Sequence, residues 1–356
     1  MEIEIINTYQ ALEDLKPKWQ HLLPLDSHHT IFQTPEWILS CYKYFEQQYP
    51  LFVITVKENN SLIGLAPFII KKTSYNGIKR NVLTFIASQG YLSDYVKPLI
   101  VDGRDDVLRE IIKTVFSNKE WDICDLYNIN SNAKDQLTEI QNLAKKNKLK
   151  TYRYNQIATP AIILTSDIDK KKLVSHASQK RHTRYFQREG NLRIEQLTNF
   201  SDILPLLPDF FNQHIVQWDK NHPSLFLDEK QKKFYSEVAE KLAEQHILLF
   251  TVVYFNHKPI AYHFGFHYKD VLYWYKPSYD ITLAKHSPGE VLQLALFEYA
   301  LEHNVEKFDF TIGEEKFKYR FANTFSHNER LLIYRHSLDY FLQYCRKLFG
   351  SFRHLK

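Results

Sequence analysis

The stretch "AKHSPGEVLQLAL" at residues 284–296 decides the fold of this chain. A Pro-Gly pair stands directly before a run of strong helix formers, and Lys285 and His286 stand directly before that pair. Ser287 is the type of residue that caps a helix, the proline suits the first helical position, and Gly289 leaves the backbone approachable. Such a helix start presents unpaired N–H groups and the positive end of the helix dipole. It predicts an anion site, although the same residues also simply begin a helix well.

Two β-hairpins of similar pattern lie in the two halves of the sequence. In "LFVITVKENNSLIGLAPFII" (51–70), a β-branched and aromatic run meets a polar turn and then a second apolar run. The stretch "LFTVVYFNHKPIAYHFGFHY" (249–268) aligns with it without a gap, with Phe52 over Phe250 and Leu62 over Ile260. The match indicates an internal duplication.

A second ungapped match supports the duplication. Residues 106–126, "DVLREIIKTVFSNKEWDICDL", lie over residues 290–310, "EVLQLALFEYALEHNVEKFDF", and this alignment places Asp125 on Asp309. Each stretch has the spacing of an amphipathic helix followed by a short strand, which in the second copy is "KFDFTIG" (307–313). We therefore expect two copies of one α/β unit, divided near "TSDIDKKK" (165–172) into domains 1–165 and 166–356.

The two copies differ where their crossover helices begin. The first copy reads Asp-Gly-Arg-Asp-Asp at residues 102–106, so its own carboxylates occupy the positive helix end. The second copy reads Lys-His-Ser-Pro-Gly at residues 285–289 and leaves that end open to an external anion. The contrast predicts an anion site in the second copy alone.

Composition narrows the class of protein. The formal net charge of +5 is too small to indicate a nucleic-acid-binding protein by itself. The three cysteines are far apart, and His263 and His267 lie in a predicted strand without matching carboxylates or thiols, so we expect neither disulfides nor a metal. The first residues lack the plan of a signal peptide and no apolar run reaches the roughly 20 residues that span a bilayer, so a cytoplasmic protein is expected.

The region 273–323 resembles the CelD-like acetyltransferases associated with bacterial polysaccharide biosynthesis. The shared features are Tyr279-Asp280, Ser287-Pro288-Gly289, Phe308-Asp309, Gly313 and Phe317-Lys318-Tyr319-Arg320, with His214 and Trp218 upstream and "SDY" (93–95) in the first half. The resemblance implies a tandem Gcn5-related N-acetyltransferase (GNAT) fold of the α/β (α+β) class, with two mixed-sheet units and flanking helices. The same fold occurs in the Fem-type peptidoglycan aminoacyltransferases.

The resemblance implies an acyltransferase that uses acetyl-CoA or another acyl-CoA as its donor. Lys285, His286, Ser287 and Gly289 would then hold the donor's pyrophosphate. Acyl transfer also needs a neutral nucleophile and a hydrogen bond for the developing oxyanion.

Three side chains are candidates for the chemistry. Asp309 either orients the acceptor or accepts its proton, directly or through water, or else makes only a structural hydrogen bond. His214 is either a general base with a pKa near neutrality or a packed core histidine. Lys318 corresponds to a lysine of the Fem-type enzymes that is thought to assist transfer. It belongs to "EEKFKYRF", where basic residues alternate with aromatics in the manner of a strand, and Arg320 would share its face.

The resemblance also suggests the acceptor, an amine or hydroxyl of a sugar or cell-envelope precursor. We expect Trp218, Tyr279, Asp280, Asp94 and Tyr95 to bind it in a cleft between the domains, with Arg320 contributing charge.

Two alternatives stay open. A basic helix stripe formed by Arg181, Arg184 and Arg188, with Lys180 alongside, is either a solvated face or a site for an anionic acceptor or tRNA. The tRNA interpretation corresponds to a Fem-like aminoacyl-tRNA-dependent aminoacyltransferase. The single Gly289, where the superfamily has a more glycine-rich loop, allows a non-catalytic binding protein instead.

Overall fold

The chain forms two units. The computed structural model describes residues 1–88, 92–130, 133–166, 170–171, 173–218 and 223–351. Contacts group Met1–Ile157 with His327–Lys356 as the first unit, and Ala158–Ser326 forms the second unit. The expected division into 1–165 and 166–356 stays a prediction; this grouping begins the second unit at Ala158 and returns the chain to the first unit at His327. Part of the expected boundary segment lies outside the described residues.

The strands are β1 (Glu2–Ile6), β2 (Leu51–Glu58), β3 (Ser61–Tyr75), β4 (Ile78–Phe85), β5 (Leu99–Ile100), β6 (Ile123–Ile129), β7 (Lys150–Ile163), β8 (Leu192–Leu197), β9 (Leu248–Phe255), β10 (Lys258–Tyr268), β11 (Val271–Tyr279), β12 (Lys307–Asp309) and β13 (Thr324–Tyr334). The α-helices are α1 (Tyr9–Asp14), α2 (Lys16–Leu22), α3 (Pro35–Cys41), α4 (Asp105–Ser117), α5 (Lys134–Lys146), α6 (Ala177–Glu189), α7 (Phe200–Ile203), α8 (Leu207–Gln217), α9 (Glu229–Glu244), α10 (Pro288–Glu302), α11 (Lys316–Phe321) and α12 (Ser337–Ser351).

In the first unit the strand order is β1-β2-β3-β4-β6-β13, with β5 paired to β3. The strands from β1 to β4 pair antiparallel, whereas β4 and β6 are parallel and are joined through α4. Parallel neighbours need such a crossover connection, so the predicted helix at this position is confirmed. The helix packs closely on β3, where a β-carbon added to Gly64 would lie 2.4 Å from Val107.

In the second unit the strand order is β7-β12-β11-β10-β9-β8. Strands β8 to β11 pair antiparallel, and β11 is parallel to β12 through the crossover helix α10. Most residues of α10 are buried, because α6 covers one side of it and the sheet covers another. Each large apolar side chain that is fully buried, such as Leu296 or Phe297, contributes roughly 1.5–3 kcal/mol to stability.

The two units share the predicted repeat. In the parallel ladders, Thr84 pairs with Asp125 in the first unit and Tyr273 pairs with Asp309 in the second. Both aligned hairpins turn through two residues with positive φ, Asn59-Asn60 and Asn256-His257. Asparagine tolerates this conformation, and the turn's twist matches that of the flanking strands.

Two local predictions were wrong. The segment 307–313 was expected to be one strand, but β12 ends at Asp309 and Thr311 has φ 57°. The segment 314–321 was expected to be extended, but residues 316–321 form α11. Helical geometry separates Lys318 from Arg320 by about 200° around the axis, so they do not share a face.

Within the part of the chain that the structure describes, no helix has both the length and the apolar character needed to cross a bilayer.

Candidate functional site

The predicted helix start lies at the beginning of α10. The structure makes Ser287 the N-cap residue and places Pro288 at the first helical position. Ser287 has φ 50° and ψ 60°, and its hydroxyl makes no capping hydrogen bond. The left-handed conformation is unfavourable for a residue with a β-carbon, so surrounding structure must impose it. This helix end is thus without the side-chain cap that the sequence predicted.

Gly289 lies half-buried in the first turn of α10. An added β-carbon would meet only the Tyr279 ring, at 3.5 Å, which is an ordinary van der Waals contact. Alanine therefore fits here, whereas a larger side chain would cover the surface beside the first turn.

The cations beside the helix start are arranged unequally. Lys285 is exposed, but His286 is stacked on Tyr185 of α6 with ring centroids 3.8 Å apart. Burial lowers the pKa of His182; the charge of Glu290 opposes this, and the charges of Arg181 and His286 lower the pKa further. The sequence left this part of α6 open between a solvated face and a site for an anionic acceptor or tRNA, and it did not predict that α6 would meet the donor-site candidates.

An acidic residue also lies in the first turn of α10. Glu290 accepts a hydrogen bond from Arg320 at 2.9 Å. Burial alone would raise the pKa of Glu290, but hydrogen bonds from Arg320 and Ser178 outweigh it and lower the pKa. In the first unit, Arg104 binds the aligned Asp106 in the same way. Both helix starts therefore carry an acidic side chain that is paired with an arginine, so their charges differ less than predicted. The first unit still has a second carboxylate there, Asp105.

Strand β11 extends beyond its pairing with β12 next to this helix start, and we call this unpaired stretch, residues 274–279, the β11/β12 opening. Their ladder ends at Tyr273 and Asp309, while β11 continues to Tyr279. Thr311 donates its hydroxyl to the Trp274 carbonyl at 3.2 Å, just beyond the last paired residues. The remainder of β11 is therefore not paired with β12.

The edge of β11 that faces this opening carries few free backbone donors. The N–H of Asp280 donates to the Ile260 carbonyl in β10. Backbone N–H groups alternate in direction along a strand, so those of residues 277 and 279 would point away from β10. Residue 277 is a proline and has no N–H. The N–H of Tyr279 donates to Gln217 of α8 at 2.9 Å. A ligand in the opening would therefore meet mainly side chains and carbonyls along this stretch.

A buried histidine stabilises a bulge in β11. The register between β10 and β11 shifts between Phe264 and Phe266. The Tyr275 N–H donates to Nε2 of His263 at 3.1 Å, and burial lowers the pKa of His263 to about 3. The imidazole is therefore neutral at physiological pH and carries its proton on Nδ1.

Asp309 is buried at the end of β12 and is held by its neighbours. Its Oδ1 accepts from the Thr311 N–H at 2.8 Å, and its Oδ2 lies 2.7 Å from Nζ of Lys307. In the first unit the equivalent Asp125 forms a two-pronged pair with Arg330. These contacts favour the structural role over the catalytic role.

Lys318 points into the loop that follows β12. Its side chain is only 4% exposed, and Nζ donates to the Ile312 carbonyl at 2.7 Å and contacts Glu315 at 3.0 Å. Gly313 has φ 139°, and an added β-carbon would lie 2.5 Å from Nζ. The loop therefore requires glycine, and it holds a buried ammonium group just beyond the end of β12.

His214 lies in α8 and is almost fully buried. Its Nδ1 is 2.8 Å from the Ser224 hydroxyl, which itself accepts from the Phe226 N–H. Burial lowers the pKa of His214 to about 3, with a further contribution from Lys276. The burial, the Ser224 contact and the lowered pKa favour the packed core histidine over the general base.

The predicted acceptor residues fall in both units. Trp218 stacks on His214 and is 45% exposed, and Asp280 caps a 3-10 turn by accepting from Thr282 at 2.9 Å. In the first unit Asp94 and Tyr95 are buried. The Asp94 carbonyl accepts from Asn328, which shows that this loop is tied into its own unit.

Two further predictions concern the basic stripe on a helix and the absence of a metal site. The helix is confirmed as α6, with Lys180, Arg181, Arg184 and Arg188 exposed. Arg188 pairs with Glu189 at 2.7 Å. Within the described ranges, no group of three or more His, Cys, Asp or Glu side chains is placed to hold a metal ion.

Comparison with known proteins places one match within the second unit. Residues 176–319 match the family model described as an acetyltransferase (GNAT) domain. The match contains the α10 start, the β11/β12 opening and Lys318. No curated protein matches the sequence.

Several solved structures share the fold at low sequence identity. FemX has a TM-score of 0.61 and 11% identity, over 93% of this chain and 97% of that chain. The C-terminal DUF2156 domain of a protein assigned as a lysylphosphatidylglycerol synthetase from Agrobacterium fabrum has a TM-score of 0.57 and 10% identity, covering 94% and 95%. A conserved protein of unknown function from Bacteroides thetaiotaomicron has a TM-score of 0.57 and 11% identity, covering 94% and 100%.

Proposed function

We propose that this chain, whose residues 176–319 match a GNAT acetyltransferase domain, is a cytoplasmic N-acyltransferase related to the CelD-like enzymes. It moves an acetyl or related acyl group from a coenzyme A thioester to an amine, or to a hydroxyl, of a sugar or cell-envelope precursor. The observation that carries the proposal is the β11/β12 opening beside a helix start with no side-chain cap.

The donor's phosphates are assigned to the start of α10. Gly289 has no side chain to cover the first turn, and Ser287 is the N-cap residue from which the helix begins. Lys285 adds an exposed positive charge. His286 is held by Tyr185, so it contributes from a fixed position. Backbone N–H groups at a helix start bind phosphate well because the helix dipole favours negative charge there.

The acyl group is assigned to the end of β12, where the ladder with β11 ends. Lys318 is the best-placed candidate to stabilise the oxyanion, because it is buried and its charge is poorly screened there. Asp309 is assigned to holding the turn that carries Thr311. His214 is assigned to supporting Trp218, whose exposed indole would bind the acceptor together with Tyr279 and Asp280.

The fold shared with FemX favours a second candidate, an aminoacyltransferase that uses aminoacyl-tRNA. The exposed cations of α6 supply charge for a polyanion. This candidate requires tRNA binding that weakens steeply as salt rises, and a gel-shift titration at low salt measures it. Failure to shift tRNA there would remove this candidate.

Titration calorimetry with acetyl-CoA tests the first proposal. Wild-type protein should bind, Gly289→Val should lose binding, and Gly289→Ala should keep most of it because the added methyl fits beside Tyr279. Thermal unfolding of each variant shows whether the fold survives. Absence of wild-type binding at millimolar ligand would overturn the coenzyme A assignment, and unchanged affinity in Gly289→Val would reduce the helix start to a structural element.

A further inference from the structure

The helix α6 lies against the residues that precede α10, where the donor's pyrophosphate is assigned. Tyr185 of α6 stacks on His286, with ring centroids 3.8 Å apart and ring planes 4° apart. The next residue, Phe186, is fully buried and meets the His286 ring edge-on, with centroids 6.4 Å apart. These contacts fix one side of α6 beside the start of α10.

The arginines of α6 lie on that side of the helix or next to it. Arg181 is four residues before Tyr185 and Arg188 is three residues after it, so both are neighbours of the stacked ring on the helix surface. The Arg188 guanidinium lies 5.9 Å from the centre of the Tyr185 ring. Arg184 is three residues after Arg181, so these two guanidinium groups are neighbours as well. Four residues advance about 6 Å along a helix, which places Arg181 one turn from the stacked pair.

Electrostatic contacts also place Arg181 near the first turn of α10. Burial lowers the pKa of His182, and the charges of Glu290 and Arg181 act on this pKa in opposite directions. Glu290 belongs to the first turn of α10 and is already paired with Arg320 at 2.9 Å. The carboxylate nearest to this part of α6 is therefore neutralised by an arginine from outside the stripe.

Two of the stripe's arginines keep their full charge. Arg188 pairs with Glu189 at 2.7 Å. Arg181 and Arg184 are exposed, and over the residues that the structure describes neither of them pairs with a carboxylate. A local excess of positive charge attracts anionic groups of a ligand.

Coenzyme A carries a third phosphate besides its pyrophosphate. This group is a monoester on the 3′ oxygen of the adenosine ribose, and one ribose separates it from the pyrophosphate. A phosphate monoester carries about −1.5 to −2 charges at pH 7. Arginine suits such a group because its planar guanidinium donates two parallel hydrogen bonds to phosphate oxygens.

We propose that Arg181 and Arg184 of α6 bind the 3′-phosphate of the acyl donor, so that the protein distinguishes coenzyme A thioesters from their 3′-dephospho forms. The stack of Tyr185 on His286 holds this second phosphate site beside the first. The inference rests on the proposed function, because it takes the pyrophosphate to lie at the start of α10. It assigns the basic stripe to the donor rather than to an acceptor or to tRNA.

Calorimetry of the full chain with coenzyme A and with 3′-dephospho-coenzyme A tests the proposal. At low salt the wild type should bind coenzyme A about tenfold more tightly than the dephospho form. The double substitution Arg181→Gln/Arg184→Gln should bring this ratio close to one by weakening coenzyme A alone. A general loss of structure would weaken both ligands, so the ratio separates the two causes.

A matched control removes the same charge from another helix of the second unit. Lys230 and Lys233 of α9 are exposed, so Lys230→Gln/Lys233→Gln should keep the wild-type ratio. Equal affinities of the wild type for the two ligands would overturn the inference and leave the coenzyme A assignment intact. Binding of neither ligand would overturn the coenzyme A assignment and this inference together.

Two further outcomes would move the stripe to another role. A wild-type ratio that persists in Arg181→Gln/Arg184→Gln would place the 3′-phosphate away from α6. A low-salt tRNA gel shift that this variant loses, with equal wild-type affinities for the two coenzymes, would assign the stripe to tRNA. Either result overturns the inference.

Discussion

Nε2 of His263 accepts a hydrogen bond from the backbone N–H of Tyr275 at 3.1 Å, inside the sheet of the second unit. The bulge in β11 removes this N–H from the ladder with β10, and the imidazole replaces the missing carbonyl. A buried N–H without a partner would cost about 1–3 kcal/mol. The histidine therefore stabilises the bulge in β11, two residues beyond the last residue that pairs with β12.

Gly265→Ala should destabilise the second unit through this histidine. An added β-carbon would lie 1.9 Å from Cε1 of His263, so the ring would have to move and release the Tyr275 N–H. We expect a loss of about 2–3 kcal/mol in the free energy of unfolding, measured with urea.

A double-mutant cycle tests the cause of that loss. In a His263→Ala background the space is vacant, so Gly265→Ala should cost much less than it does in the wild type. Gly289→Ala is the matched control, since its β-carbon has only the 3.5 Å contact with Tyr279 and should leave stability unchanged. Equal costs of Gly265→Ala in both backgrounds would contradict the proposed steric cause.

The two buried histidines predict how stability depends on pH. Burial lowers the folded-state pKa of both His214 and His263 to about 3, whereas an unfolded histidine titrates near about 6.5. The unfolded chain therefore binds more protons between these values, and stability is lost as pH falls from about 6.5 toward 3. Above about pH 6.5 both states are neutral at these positions, so neither histidine contributes a slope.

His214→Asn isolates one of these contributions. Its plot of unfolding free energy against pH should be less steep than that of the wild type between pH 6 and 4, by about 1.4 kcal/mol per pH unit. His246→Asn replaces an exposed histidine and should leave the slope as it is in the wild type. Parallel plots for the wild type and His214→Asn would show that His214 is not buried in neutral form.

The repeat, the hairpins and the crossover helices follow from the sequence because each depends on local periodicity. Alternating residues predict the strands, and the helical spacing at 290–302 predicts α10. The Ser-Pro-Gly start is a local signal too. Whether the Ser287 hydroxyl accepts a capping hydrogen bond depends on the residue's backbone angles, which neighbouring structure determines.

The contacts that define the site join residues that are distant in sequence. Nothing near His286 in the sequence indicates that it stacks on Tyr185, or that Glu290 pairs with Arg320. The alternating pattern of 314–321 suggests a strand, yet α11 forms and buries Lys318. Burial also determines the protonation state of His214. The sequence spacing alone left open whether this residue is a general base or a packed core histidine.

Lys318→Ala should lower turnover more than it lowers donor affinity. The buried ammonium group donates to the Ile312 carbonyl and contacts Glu315, so its loss should also reduce stability, by about 1–3 kcal/mol. Lys318→Arg keeps the charge and Glu315→Gln removes only the ion-pair partner, so both should retain more activity than Lys318→Ala. Steady-state kinetics and calorimetry with acetyl-CoA separate the two effects, and equal losses in both would assign Lys318 to binding.

Substitutions of Arg320 and Glu290 should change the affinity for the acyl donor in opposite directions. Their pair, at 2.9 Å, neutralises an acidic side chain in the first turn of α10. Arg320→Met would leave the carboxylate unpaired beside the proposed phosphate site and should weaken acetyl-CoA binding by about two- to fivefold at low salt.

Glu290→Gln should strengthen that binding by a similar factor, and the double variant should bind at least as well as the wild type because the repelling charge is gone. Raised salt should shrink all of these differences, since the groups are partly exposed. Calorimetry across a salt series measures them. Weaker binding in Glu290→Gln would mean that this carboxylate positions the helix start rather than opposing the donor's phosphates.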